Sequence, residues 1–126
     1  MDHTEPLWRS AGAVADLPED ELIGVELRDG ADRPVKVALV RRGGAVFAVH
    51  DRCPHRGAPF SELGLIDEDG TLLCGWHYWG FDLTSGCHTE VEGIRVCTFP
   101  TRVVDGAVEV DLARSPHRAP PLVTLD

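Results

Sequence analysis

Short runs in which apolar and polar residues alternate dominate this chain, and they predict β-strands rather than helices. Alternation places every second side chain on one face of a strand, as a half-buried strand requires. Residues 58–64 are broken by Pro and Gly and predict at most one helical turn. The runs predicted as strands cover residues 7–10, 22–27, 34–40, 45–50, 71–73, 94–99, 101–104 and 107–112.

Segments rich in Asp and Gly separate these runs and predict turns. They lie at residues 29–32, 41–44, 67–70 and 105–106, and residues 81–87 predict a further strand, turn and strand. Many short strands joined in this way predict an all-β fold, either an antiparallel β-sandwich or a small barrel. We expect one domain over residues 1–126, with its core at about 7–112 and a Pro-containing tail at 113–126.

Composition and charge narrow the class of protein. The 126 residues are 43% apolar and 26% charged, which is the balance of a soluble globular domain. Neither a signal peptide nor an apolar run of membrane-spanning length is visible, so we expect a cytoplasmic protein. The formal net charge of −9 disfavours binding to nucleic acid or to anionic membranes. It favours a basic protein partner, although charge of this sign also serves solubility alone.

Two short segments, which we call the first and the second ligand piece, each supply one Cys and one His. Cys53 and His55 form a C-x-H piece, and Cys74 and His77 form a C-x-x-H piece. Cysteines of a cytoplasmic protein are metal ligands or free thiols more often than disulfides. The two pieces therefore predict a metal centre built from two thiolates and two imidazoles.

Two kinds of metal centre use such a ligand set. A structural zinc site is one, but zinc fingers pair two Cys in one knuckle and carry two His on a helix, whereas here each piece is mixed. A binuclear iron–sulfur cluster is the other, with both thiolates on one iron and both imidazoles on the second. The mixed pieces favour the cluster, and zinc or a vestigial metal-free site stays as an alternative.

The sequence around the two pieces resembles Rieske [2Fe–2S] proteins. The resemblance is carried by residues 53–59 and 73–77, by Trp79, by Phe81-Asp82 and by the turn at 84–86, and it extends over residues 7–112. It implies a Rieske-like antiparallel β-fold in which two loops at one end form a cluster-binding subdomain. It also implies one [2Fe–2S] cluster per chain, with Cys53 and Cys74 on one iron and His55 and His77 on the other.

The resemblance also implies a low redox potential. High-potential relatives have a Ser and a Tyr that donate hydrogen bonds to sulfur, and here Trp79 and Phe81 stand at those positions. Fewer donors leave the reduced cluster less stabilised, so we expect a midpoint near the bottom of the family's range of about −150 to +300 mV. The chain departs from the family at Tyr78, where Gly is usual, and this puts the path of the second loop in doubt.

Several residues outside the motif are candidates for lesser roles. Cys87 and Cys97 are expected to be buried structural thiols, and a disulfide between them is disfavoured in the cytoplasm. His88 is a candidate for a place beside the cluster or facing a partner, against the commoner case of a solvated turn residue. Residues 90–93 are a candidate third loop over the cluster.

These expectations combine into an electron carrier rather than an enzyme. By the resemblance, the chain passes one electron from a flavin reductase to a terminal oxygenase or a similar acceptor. A Rieske oxygenase also needs a second domain with a mononuclear iron, so we expect no catalytic centre in this chain. The alternatives are a small Rieske subunit of a larger oxidoreductase, such as a nitrite-reductase-like assembly, and a non-redox zinc or vestigial binding module. We expect a monomer with protein redox partners.

Overall fold

The computed structural model describes residues 5–54, 57–75 and 79–113. Strands make up most of the regular structure in these ranges, and the helical elements are a 3-10 turn at Val14–Asp16 and α1 at Phe60–Leu63. The strands are β1 (Trp8–Ala13), β2 (Ile23–Arg28), β3 (Pro34–Arg42), β4 (Ala45–His50), β5 (Gly64–Ile66), β6 (Leu72–Cys74), β7 (Gly80–Phe81), β8 (Thr98–Phe99), β9 (Thr101–Val104) and β10 (Ala107–Asp111).

The strands form three small antiparallel sheets. Sheet A has the order β1-β10-β9, sheet B has the order β2-β3-β4-β8, and sheet C has the order β5-β6-β7. The predicted all-β antiparallel fold is therefore confirmed. No helix of the described ranges is long and apolar enough to cross a membrane.

Strand β3 divides the apolar interior into two clusters because it is buried on both faces. Val37 and Leu39 point to a cluster that β10 closes with Val108 and Val110. Residues between them on the strand, such as Ala38, point to the opposite face. That second cluster also contains the buried side chains of sheet C, together with Cys53 and Ala58, so sheet B supports the end of the molecule that carries the motif.

Three sequence expectations about elements are corrected. The turn expected over residues 41–44 is confined to Gly43 and Gly44, both at positive φ, while the two arginines before them extend β3. Of the strand expected over residues 94–99, only Thr98–Phe99 is regular, since burial of Ile94 and Val96 within a loop produces the same apolar alternation. Strand β5 was not predicted, because three residues are too few to show a period. The tail expected at 113–126 lies, from residue 114 onward, outside the described residues.

Candidate metal centre

The first ligand piece begins at Cys53 in a tight loop. The backbone N–H of Cys53 donates to the carbonyl of Ala58 over 2.8 Å, and the N–H of Gly57 donates back to the carbonyl of Cys53 over 2.7 Å. Gly57 has a φ of 79°, which a residue with a side chain adopts only at a cost. The glycine thus allows the chain to return on itself directly behind the thiol.

The second ligand piece begins at Cys74, the last residue of β6. Its backbone N–H donates to the carbonyl of Trp79 over 2.8 Å, so the carbonyl lies five positions further on, as it does for Cys53. At Gly75 a β-carbon would lie 2.0 Å from the carbonyl oxygen of Leu63, so no side chain fits there. Both cysteines therefore open short loops that are closed by the same kind of backbone hydrogen bond.

The two thiols are buried in one apolar cluster. Cys53 is 0% exposed and Cys74 is 1% exposed. Thiolates are the ligands that iron–sulfur clusters use, so two thiols that share one apolar cluster and each open a loop are a donor set that fits such a cluster. His55 and His77 lie outside the described residues, as do Arg56, Trp76 and Tyr78. Within the described part alone, no group of three or more metal-ligating side chains occurs.

A buried carboxylate lies two residues before Cys53. Asp51 accepts hydrogen bonds from both the backbone N–H and the hydroxyl of Ser61, on α1. Gly24 of β2 faces this pair, and a β-carbon there would lie 2.7 Å from the Ser61 hydroxyl oxygen. The expectations from sequence missed these three residues. An isolated glycine within a strand pattern was the available signal, because it often marks a close approach of another backbone or side chain.

His88 organises the loop that follows sheet C. Its Nδ1 accepts hydrogen bonds from the backbone N–H groups of Glu90, over 3.0 Å, and Val91, over 3.1 Å. Its ring packs edge-on against Trp79 and Phe81, with centroid separations of 4.8 and 5.4 Å. Burial lowers the pKa of His88 from its ordinary value, and the nearby charge of Glu90 opposes that shift. Because Nδ1 accepts both N–H groups, the hydrogen bonds of this loop require the neutral form of the His88 imidazole.

Comparison with known proteins decides the family. A model of the Rieske [2Fe–2S] domain matches residues 7–100. The chain belongs to the Rieske [2Fe–2S] domain family. This Rieske chain is 37% identical over 108 residues to the anthranilate 1,2-dioxygenase ferredoxin subunit of Burkholderia cepacia, covering 83% of this chain and 92% of the relative.

Two solved structures resemble the Rieske chain along nearly their whole length. One is described as the small subunit of an NADH-dependent nitrite reductase from Mycobacterium tuberculosis, with a TM-score of 0.74, 28% identity and coverage of 85% of this chain and 96% of that one. The other comes from a complex of reduced oxygenase and oxidised ferredoxin in carbazole 1,9a-dioxygenase, with a TM-score of 0.70, 27% identity and coverage of 85% and 94%. The predicted Rieske fold, [2Fe–2S] cofactor and ferredoxin-type electron carrier are confirmed.

The low redox potential was predicted from positions 79 and 81. Both hold aromatic residues that belong to, or pack against, the apolar cluster that contains the thiols. Phe81 is fully buried and packs edge-on against Phe60 with centroids 5.8 Å apart, in the cluster that contains Cys53 and Cys74. Trp79 is half-buried against the same cluster. Neither side chain carries a hydroxyl, so neither position supplies the donor that high-potential relatives have there.

The two cysteines outside the motif differ from each other. Cys97 is half-buried, and burial raises the pKa of its thiol while the charge of Arg95 acts in the opposite direction. Cys87 is exposed, so the expectation that both thiols are buried is wrong for this residue, which follows the turn at Asp82–Gly86 and points outward. Neither of these two thiols lies in a disulfide in the structure.

Proposed function

We propose that this Rieske protein carries single electrons from a flavin reductase to a terminal oxygenase or a similar acceptor. The observation that carries the proposal is the pair of buried thiols that open two matching loops in a chain related to dioxygenase ferredoxin subunits. A cluster held there would be sealed from water by Phe60 and Phe81 on its inner side. The acceptor is inferred from the similar ferredoxin in the carbazole dioxygenase complex.

We assign Cys53 and Cys74 as the ligands of one iron and His55 and His77 as those of the other. When bound, the [2Fe–2S] cluster supplies the site that gains and loses one electron. The described residues support the thiol half of this assignment through the burial and loop geometry of Cys53 and Cys74. The imidazole half rests on the C-x-H and C-x-x-H spacing.

Single substitutions test the ligand set. Cys53→Ser, Cys74→Ser, His55→Ala and His77→Ala are each expected to lose the visible absorption of the cluster and its electron paramagnetic resonance signal on reduction. Cys87→Ser removes an exposed thiol outside the motif and serves as the matched control, which is expected to keep both signals and the iron content of the unmodified protein. A ligand variant that keeps a normal cluster would remove that residue from the set.

We also propose that the chain has no catalytic centre of its own and works as a monomer in the cytoplasm. The relatives support the first point, since they are named as ferredoxin subunits of dioxygenases. Sedimentation of the purified protein tests the monomer, and a stable dimer would contradict it.

A second candidate is a small subunit fixed in a larger oxidoreductase. The likeness to the small subunit from M. tuberculosis favours it, because the two chains match over 96% of the subunit's length. Isolation from the native cell by size-exclusion chromatography separates the two candidates. Elution as a free chain of about 14 kDa supports the shuttle, and co-elution with a large partner supports the subunit.

A further inference from the structure

Sheet C has an outer apolar face that is open to solvent at Leu65, half-buried at Leu73 and buried at Gly80. Leu65 of β5 lies directly opposite Leu73 of β6, which in turn lies opposite Gly80 of β7, so the three share one face. Leu65 is 45% exposed, and Leu63, which precedes β5, is 40% exposed. Gly80 has no side chain and is bordered by the methyl group of Thr71. We call the face formed by these residues the outer sheet face.

The outer sheet face lies on the reverse of the strand that ends at Cys74. Alternation along β6 sends Leu72 and Cys74 into the buried cluster and Leu73 outward. The backbone of Leu63 lies against Gly75, the residue after Cys74. A protein seated on this face would therefore touch the strand and the loop that hold the second thiol.

The chain segment that forms this face is acidic, although Arg42 of β3 reaches it from outside and donates to the carbonyl of Glu68 over 2.9 Å. Residues 57–94 contain seven of the 21 acidic residues of the chain and none of its 12 Lys and Arg residues. Glu62 stands at the α1 side, and Glu90 and Glu92 stand in the loop that follows Thr89, whose hydroxyl approaches Gly80; all three glutamates are exposed. The acidic residues of this segment are Glu62, Asp67, Glu68, Asp69, Asp82, Glu90 and Glu92.

We propose that the outer sheet face is a docking surface for a redox partner that presents basic side chains around an apolar contact. An exposed apolar face within a polar rim is the usual composition of a protein–protein contact, and a rim of one sign selects a partner of the opposite sign. Residues 57–94 thus combine the exposed leucines with an excess of acidic residues, whereas the other strongly exposed apolar side chains of the described strands, Val103 and Val104, lie on β9 outside this acidic segment. This inference rests on the proposed electron-carrier function and adds where, and through which chemistry, a partner is held.

A basic redox protein of known charge serves as the probe. The dithionite-reduced protein is mixed with oxidised mitochondrial cytochrome c in a stopped-flow instrument at low ionic strength. The double variant Glu62→Lys and Glu92→Lys is expected to lower the second-order rate about tenfold, an effect that disappears at high salt. The matched control, Glu5→Lys with Asp16→Lys, changes the net charge equally at exposed positions outside residues 57–94 and is expected to change the rate less than twofold.

The apolar centre is tested by Leu65→Ser, which is expected to lower the rate about threefold at both low and high salt, since it removes contact area rather than charge. Equal losses from the two double variants would show that net charge alone steers the probe and would overturn the proposal. So would a Leu65→Ser variant or a Glu62→Lys with Glu92→Lys variant that reacts like the unmodified protein.

Oxidation by neutral benzoquinone separates failure of the docking surface from failure of the proposed function. All variants are expected to react with this small uncharged acceptor at the rate of the unmodified protein, because it needs no docking face. If the unmodified protein holds no reducible cluster, the electron-carrier function itself fails. If the cluster transfers electrons to benzoquinone but the face variants leave the reaction with cytochrome c unchanged, only the docking surface is wrong.

Discussion

The imidazole of His88 lies edge-on against the indole of Trp79, with ring centroids 4.8 Å apart. The same imidazole accepts the backbone N–H groups of Glu90 and Val91 at Nδ1, so its other nitrogen carries the proton of the neutral ring. One side chain thus joins the aromatic residue after the second ligand piece to the loop at 90–93. Whether that loop covers the cluster, as the sequence suggests, stays a prediction.

Acidification is expected to weaken this connection. Burial lowers the pKa of His88 in the folded protein, so the unfolded chain binds the proton more readily than the folded one. The stability that neutral His88 contributes is therefore complete above the unfolded pKa of about 6.5. It is lost as the pH falls through the lower folded pKa. Thermal unfolding of the oxidised protein between pH 7.5 and 5 is expected to show a falling midpoint.

His88→Asn is the matched variant for this experiment. The Asn side-chain oxygen can accept the same two N–H groups and does not titrate, so the part of the pH dependence that belongs to His88 should disappear. A His88 resonance that titrates above pH 6.5 in the NMR spectrum of the unmodified protein would contradict the prediction.

Residues 79 and 81 account for the expected low potential. Phe81 is fully buried beside Phe60 in the apolar cluster of side chains that contains both thiols. Trp79 packs against the same apolar cluster. Phe81→Tyr introduces a hydroxyl, and one hydrogen bond that favours the reduced cluster by about 1 kcal/mol raises a one-electron potential by about 40 mV. An electron paramagnetic resonance redox titration measures this shift.

Phe47→Tyr provides the comparison for that titration. Phe47 lies on β4, is half-buried and packs on the same apolar cluster, but it is not one of the two positions at which high-potential relatives carry a hydroxyl donor. Its substitution is expected to leave the potential unchanged. An unmodified protein with a midpoint near +300 mV, the top of the family range, would refute the assignment to the low-potential kind.

Much of the fold could be predicted from sequence because period-two alternation is a local signal. Strand β4 was predicted with its observed bounds for this reason. The strand expected over residues 94–99 was mostly wrong because Ile94 and Val96 are buried by the loop's tertiary contacts, which alternation alone does not distinguish from a ladder. In this segment, burial in a loop produced the apolar alternation without the backbone pairing of a strand.

The residues of the candidate site, too, could be predicted only in part from the sequence. Cys53 and Cys74 could be predicted as ligands from spacing because metal ligation restricts residue type strongly, and their assignment stays a prediction. Asp51 and Ser61 were missed because they act through each other across ten positions and neither residue type signals a partner on its own. Gly24 comes from a different strand, so only the folded chain places it against this pair.

The close approach at Gly24 predicts that replacing this glycine destabilises the folded protein. A β-carbon there would lie 2.7 Å from the Ser61 hydroxyl oxygen and 3.3 Å from a carboxylate oxygen of Asp51. Gly24→Ala is therefore expected to cost about 1–3 kcal/mol of unfolding free energy through overpacking. Gly30→Ala is the control, since a β-carbon there meets only Leu7 at 3.6 Å, and it is expected to stay within about 0.5 kcal/mol. Chemical denaturation of both variants measures the difference, and equal stabilities would show that the Ser61–Asp51 pair can move aside.

The two cysteines outside the motif should react at different rates with a thiol reagent. Thiolate is the reactive form, and burial raises the pKa of the Cys97 thiol, so little of it is ionised at neutral pH. Cys87 is exposed and open to the reagent. Iodoacetamide treatment of the cluster-loaded protein at pH 7.5, followed by peptide mass spectrometry, is expected to modify Cys87 at least about tenfold faster than Cys97. Cys87→Ser leaves Cys97 as the remaining non-ligand thiol, and fast labelling of that variant would show that the side chain of Cys97 is not shielded.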